Sequence, residues 1–318
     1  MSGAGAADAD AVDSRVRLAG VELRNPVLTA SGTFGYGTEF APFLDLTRLG
    51  GFVAKSLTLL PRQGNPPPRI AEAPSGMLNA ISLENVGVDV FLREKLPALP
   101  PAVVVIASAF ETEIARYAEV CKRLAGEPRI AAIEINASCP HVEAGGIEFG
   151  QDPRVLAELV RAVRAATPGP LLIKLTPNVT SIAEMARVCE GEGADGISLI
   201  NALQAMEVDV ETRRPVLSNR LGGLSGPAIR PIALRMVWQA AQAVKLPICG
   251  IGGITSAEDA VKFLLCGASA VQVGTQNYLD PTRAQAIAEG IAAYAARHGF
   301  ARVADLTGAL EDPPGKPR

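Results

Sequence analysis

Aromatic residues are scarce in this chain, at 4% of 318 residues with a single tryptophan. Proteins that read single-stranded nucleic acid stack bases on aromatic rings inside a cationic groove. Neither resource is present, because 33 acidic residues outnumber 30 basic ones and the net charge is -3. That balance leaves no footprint for a polyanion. Cysteine occurs five times, at 121, 139, 189, 249 and 266. An odd count with wide spacing excludes a disulfide framework, a CxxC metal site and an iron–sulfur run. No metal is expected, and a reducing, cytoplasmic home is. Long apolar runs are missing too: a stretch such as residues 103–107 is strand-length, far below the roughly 20 residues of a membrane span. The first residues carry no basic-then-apolar secretory pattern, so no membrane association is expected. Histidine appears twice, as His141 and His298. With no nucleophile-elbow sequence, a Ser-His-Asp hydrolase would have to use His141; His298 reads as a solvated helix-end residue.

What the chain does have is apolar residues, 48% of the total. They fall into short runs, each followed by a longer helical pattern. Eight runs read as strands: residues 27–30, 52–55, 103–107, 132–136, 171–174, 196–200, 248–250 and 270–274. Nearly continuous apolar strands suit a parallel sheet covered on both faces. Helical spacing appears over 112–124, 153–166, 181–192, 227–244, 256–266 and 281–298. Asp152-Pro153, Asp280-Pro281 and Ser256 with Asp259 supply helix-start signals. Strands alternating with helices over this length predict an α/β fold, a (β/α)8 TIM barrel. The organisation expected is a disordered tail over 1–14, one barrel domain over 15–310 and a second tail over 311–318. Two long loops, 57–89 and 202–226, follow strand C-termini, the face where barrel active sites lie, and read as lids.

Chemistry is concentrated at the same strand ends. Gly252-Gly253-Ile254 follows the seventh strand and Val273-Gly274-Thr275 the eighth. Glycines there let backbone N–H groups approach a phosphate. Either segment alone is also an ordinary turn; the pair on adjacent strands points to phosphate. Lys55 and Lys174 each end an apolar strand. One strand-end lysine is a surface residue by default, but two on the catalytic face read as counter-charges for anions, including a reduced flavin, or as a Schiff-base amine. Cys139 closes the fourth strand segment, Glu134-Ile135-Asn136-Ala137-Ser138-Cys139-Pro140-His141, beside a glycine-rich loop. The other four cysteines read as small inert core residues. Asn79, Asn136 and Asn201 offer both donors and acceptors to an amide-like ligand.

Together these segments resemble the class 1 dihydroorotate dehydrogenases, most closely the NAD-linked 1B catalytic subunit. The matching stretches start at Asn25-Pro26, Lys55-Ser56, Pro61-Arg62, Gly76-Met77, Asn136-Ala137-Ser138-Cys139-Pro140, Lys174-Leu175, Gly222-Gly223, Gly252-Gly253 and Val273-Gly274-Thr275. They run in family order over roughly residues 20–285. The resemblance implies FMN bound by Ser31, Lys55, Ser56, Asn136, Lys174, Ile200, Gly226, Gly252, Gly253, Gly274 and Thr275. It implies dihydroorotate bound by Lys55, Asn79, Ala80, Ile81, Ser82, Leu83, Asn136, Asn201 and Ala202, with Cys139 as the base. A thiol with an ordinary pKa of about 8.5 suits that task once its surroundings favour thiolate. A polar tail and a cysteine base set the chain apart from the membrane-bound, quinone-using relatives, which carry a serine. The 1B type implies NAD as final acceptor, through a separate subunit carrying FAD and a [2Fe–2S] cluster; a homodimer core is expected with it.

The chain departs from the family at four places. His141 stands where asparagine is usual, Ala202 where threonine is usual, and Ser82 where glycine is usual. The third strand lacks the asparagine that meets the flavin, with Ser108 the nearest polar residue. Rival readings are a fumarate-using 1A enzyme or a related pyrimidine-reducing barrel, a phosphate-binding lyase or aldolase with Lys174 as Schiff-base residue, and a non-catalytic FMN carrier.

Overall fold

A computed structural model describes residues 12–138 and 149–312. The sequence alternation is realised as a closed parallel barrel. Its strands are β1 (Val27–Thr29), β2 (Gly51–Val53), β3 (Val105–Ala109), β4 (Ile130–Asn136), β5 (Leu171–Lys174), β6 (Gly196–Leu199), β7 (Ile248–Ile251) and β8 (Ala270–Val273). They neighbour one another in chain order, and β8 closes on β1. Seven of the eight are buried along their whole length. That explains why they are read as solid apolar runs rather than as alternation.

Among the described residues, six helices of nine residues or more pack outside: α1 (Ile114–Ala125), α2 (Pro153–Ala166), α3 (Ile182–Gly191), α4 (Arg230–Ala243), α5 (Ala257–Leu265) and α6 (Arg283–Arg297). Three starts are capped by side chains, those at Asp152 and Ser256 as expected and that at Ser181 in addition. Asp152 accepts from Arg154 N and Val155 N with Pro153 at the first helical position, Ser181 accepts from Glu184 N, and Ser256 accepts from Asp259 N. The last helix differs. Asp280 Oδ1 spends itself on Thr282 N and Thr282 Oγ1, so the chain makes a side-chain turn and α6 begins only at Arg283.

The two ends of the barrel are closed differently. A hairpin of Val16–Leu18 and Val21–Leu23 lies under the strand N-termini, where Ala19 approaches Gly196 at the start of β6. Asp13, counted with the tail from sequence, bridges Arg302. At the opposite end the two long loops are not structureless. They form a four-stranded antiparallel sheet in the order Leu203–Ala205, Gly222–Ser225, Gly76–Asn79, Ile70–Ala73. This sheet stands beside the C-terminal ends of the barrel strands and walls the cavity described next.

Candidate active site

A cavity of about 250 Å³ opens at the C-terminal ends of the strands, the face on which barrels place their chemistry. Every barrel strand but the third contributes residues to it from its end or the loop that follows. The structure brings together Ser31, Lys55, Ser56, Asn79, Ile81, Ser82, Leu83, Asn136, Lys174, Ile200, Asn201, Ala202, Gly226, Gly252, Gly253, Gly274 and Thr275 along its wall. Ala80 does not line it. Its N–H donates to Arg69 O and its carbonyl accepts from Asn65 Nδ2, so its backbone is used in building the turn. Cys139 and His141 lie outside the described residues; β4 leads towards them through Ala137 and Ser138.

One wall is backbone. Gly226, Gly252 and Gly253 have φ of +94°, +132° and +68°, a region that a Cβ makes costly. A Cβ on Gly253 would sit 2.7 Å from Gly226 O, and one on Gly252 would sit 2.8 Å from Ala233 Cβ. The loops pack so closely that only glycine fits. Among the described residues, the N–H groups of Gly253, Gly274 and Thr275 donate no hydrogen bond. Unspent donors beside a cavity are what a phosphate takes up. Arg230 stands behind this wall, donating to Gly253 O at 3.5 Å and paired with Asp259 at 2.8 Å. Thr275 Oγ1 donates to Ser225 Oγ at 2.8 Å, tying the β8 loop to the lid sheet.

The opposite side carries charge and amides. Lys174 ends β5, is only 5% exposed, and lines the cavity. Its ammonium lies 3.8 Å from Glu134 Oε1 and makes no hydrogen bond among the described residues. Lys55 follows β2 and is half-buried, with no ion pair among the described residues. Burial lowers its pKa from the ordinary lysine value, although the Glu84 charge opposes this. A half-desolvated, unpaired cation facing a cavity is a site for an anion. Asn136 Oδ1 accepts from Ser138 N at 3.1 Å and from Asn201 Nδ2 at 3.0 Å. Its own amide nitrogen has no acceptor among the described residues, so it presents donors to the cavity. Asn201 Oδ1 takes Ala202 N at 3.0 Å, which fixes the second amide.

Two of the four departures noted in sequence, Ser82 and Ser108, can be read locally. Ser82 adopts φ of +60° and Leu83 +57°; the turn demands the left-handed region, which is where glycine would be most at ease. Ser108 is fully buried on β3 and sits 2.8 Å from Ser56 Oγ, which lies 3.2 Å from Ser31 Oγ. Ser31 donates onward to Ala54 O at 2.9 Å. Of this hydroxyl chain, Ser31 and Ser56 line the cavity and Ser108 stands behind them.

Of the other cysteines, Cys121, Cys189 and Cys249 are buried in the core and Cys266 is half-buried against it. Burial pushes the Cys121 thiol up to about 12 and raises Cys189, Cys249 and Cys266 as well. Sequence reasoning missed Met77, Ser225, Thr255, Gln276 and Tyr278, which also line the cavity. Met77 and Ser225 lie within matching stretches, and Thr255 and Gln276 adjoin segments already singled out; Tyr278 carries no signal in sequence. Among the described residues no group of three or more His, Cys, Asp or Glu is placed to hold a metal, and no helix is long and apolar enough to cross a membrane.

Comparison with known proteins gives one result. The family profile described as "Dihydroorotate dehydrogenase" matches residues 14–294. A protein of Trichlorobacter lovleyi is 56% identical over 300 residues, covering 93% of this chain and 98% of its own length. One of Pelobacter propionicus is 55% identical over 303 residues, covering 94% and 99%, and one of Geotalea uraniireducens 54% over 299 residues, covering 94% and 98%. All three are named "Dihydroorotate dehydrogenase B (NAD(+)), catalytic subunit".

Proposed function

Because this chain belongs to the dihydroorotate dehydrogenase family over residues 14–294, we propose that it oxidises (S)-dihydroorotate to orotate through FMN, in the biosynthesis of pyrimidines. Residues 15–310 act as one FMN-binding barrel domain. The observation that supports this best is convergence: one cavity gathers unspent backbone donors on one side and Lys55, Lys174, Asn136 and Asn201 on the other.

The donor set fits FMN. The glycine wall, where a Cβ on Gly253 would meet Gly226 O at 2.7 Å, holds the phosphate with Gly226, Gly252, Gly253, Gly274 and Thr275. Ser31, Ser56, Asn136, Ile200 and Lys174 would hold the ring, and Lys55 would serve both cofactor and substrate. When bound, FMN supplies the two-electron acceptor, taking hydride from C6 of the substrate. The protein supplies binding, orientation and proton transfer. Lys55 neutralises the substrate carboxylate. Asn79, Asn136 and Asn201 satisfy the amide edge of the pyrimidine, and the turn from Ala80 through Ile81, Ser82 and Leu83, with Ala202, completes the substrate site. Cys139, the third residue after β4 in the sequence, takes the proton from C5.

NAD is the final acceptor, reached through a partner subunit that carries FAD and [2Fe–2S]. The words "catalytic subunit" in the relatives' names support a second chain. A homodimer core, a cytoplasmic location and an absence of nucleic-acid or membrane partners complete the reading. The fumarate-linked 1A type and a Schiff-base aldolase using Lys174 are disfavoured by those names and by the family match.

An anaerobic absorbance scan of the purified chain tests this. Flavin bands should bleach when dihydroorotate is added, and reoxidation should then be compared with NAD, fumarate and quinone. Bands that persist would remove dihydroorotate as substrate. A colourless protein that cannot be reconstituted with FMN would overturn the whole reading.

A further inference from the structure

Glu134 plays no part in the function described so far, yet its placement is costly. It is fully buried on β4, two residues before Asn136, so both side chains project from the same face of the strand into the barrel. A buried carboxylate is unfavourable unless it is paired and hydrogen-bonded. Glu134 Oε2 accepts from Ser198 Oγ at 2.8 Å and from Gln272 Nε2 at 2.7 Å. Donors from β6 and β8 thereby clamp one oxygen. The other, Oε1, accepts no hydrogen bond among the described residues and lies 3.8 Å from Lys174 Nζ. The barrel register sets Lys174 between Asn136 on β4 and Ser198 on β6.

The neighbouring titratable group is Cys249 on β7. Burial, and then the Glu134 charge, push its thiol upward, so it stays neutral and does not compete for the ammonium. The separation of 3.8 Å has a consequence. It is close enough for charge pairing and too long for a hydrogen bond, so the three Lys174 donors remain available to the cavity. Glu134 itself does not line that cavity.

We propose that Glu134, clamped by Ser198 and Gln272, is a positioning residue that holds the Lys174 ammonium at the cavity floor, so that its charge stabilises the reduced cofactor. This rests on the reading that FMN occupies the cavity. Glu134 acts through Lys174 rather than on the ring, and that distinction fixes the sign of its effect. A bare carboxylate near the flavin would disfavour added electrons, so its removal would raise the midpoint potential. A carboxylate that holds a lysine in place favours them, so its removal lowers the potential.

The test is Glu134→Gln in the full chain, with FMN affinity measured by titrating the apoprotein and the midpoint potential by anaerobic reduction against dyes. FMN affinity should fall by about 10–100-fold, the usual loss when the supporting partner of a binding group is removed. Reduced FMN should lose about tenfold more than oxidised FMN, which lowers the potential of this two-electron couple by about 30 mV. In a Lys174→Met background the same substitution should change affinity less than about twofold, because the group it acts through is gone. An unchanged or raised potential overturns the proposal, as does a full loss of affinity in the Lys174→Met background. Where Glu134→Gln gives no cooperative melt, Ser198→Ala carries the test: it keeps the charge, removes one clamp, and should shift both readings in the same direction, no shift being a refutation. Failure of the unsubstituted protein to bind FMN would remove the cofactor reading, and this proposal with it, before any variant is made.

Discussion

Two glycines on the cavity wall separate the demands of the fold from those of the cofactor. Gly253 has φ of +68°, and a Cβ there meets Gly226 O at 2.7 Å and Pro227 Cα at 3.1 Å, both backbone. The left-handed conformation costs an alanine about 1–2 kcal/mol, and the overlap adds roughly 1–3 kcal/mol because neither neighbour is a flexible side chain. Gly253→Ala should therefore destabilise even the FMN-free protein, by about 2–5 kcal/mol in sum, lowering its melting temperature by roughly 5 °C or more. Gly274 is different. A Cβ there meets Ala30 Cβ at 3.5 Å and Thr33 Cγ2 at 3.8 Å, both ordinary contacts, and all three residues line the cavity. Gly274→Ala should leave the apoprotein within about 0.5 kcal/mol of the parent while setting a methyl group in cofactor space. At about 1.4 kcal/mol per tenfold, an overlap of roughly 1–3 kcal/mol weakens FMN binding by about one to two orders of magnitude. Thermal melts of the apoproteins and FMN fluorescence titration read the two quantities separately. A Gly274→Ala protein with parental FMN affinity would refute the placement of the cofactor against this wall. A Gly253→Ala apoprotein that melts with the parent would refute the close-packing argument.

Other expectations concern single groups. Cys139→Ser should retain FMN but slow its reduction by dihydroorotate by about 10²–10⁴-fold, as for a weakened base; stopped-flow bleaching at neutral pH checks this, and an unchanged rate would remove Cys139 from the mechanism. Burial lowers the Lys55 pKa from 10.5, so its charge is lost on rising pH before that of a free lysine. KM for the anionic substrate should climb in that alkaline range, and Lys55→Met should flatten the climb. Burial alone would raise the Asp259 pKa, but hydrogen bonds from Thr255 and the nearby Arg230 hold it below 3.8. Its contribution to stability is present above that value and lost as pH falls through the folded pKa. Asp259→Ala should cost about 1–3 kcal/mol in urea melts at neutral pH, and the cost should shrink as the pH falls below 3.8.

Much of the molecule was legible before any coordinates. The eight buried strands announced themselves because a parallel sheet covered on both faces needs unbroken apolar runs, and residues 171–174 coincide with β5 as observed. Helix starts at Asp152 and Ser256 were readable because capping is local chemistry. The start after Asp280 was misplaced because an equally local side-chain turn competed for the same carboxylate. The site residues were legible as a set of strand ends, since barrel geometry alone carries those ends to one face.

Other features had no local signal. Gly76–Asn79 and Gly222–Ser225 hold glycines and little β propensity, yet they pair across a separation of more than 140 residues. The contact of Asn201 with Asn136 spans 65 positions. The clamp on Glu134 draws on β4, β6 and β8. By itself the sequence determined which segments become strands and helices and which residue types reach the catalytic face, because periodicity, capping and apolar burial act over a few residues. Only the tertiary structure decided that two long loops join into one sheet, that Ser108 serves behind Ser56 rather than in the cavity, and that a buried carboxylate stands beneath Lys174. Those outcomes depend on barrel closure, which sets distant side chains within hydrogen-bond reach and leaves no trace in the neighbouring residues.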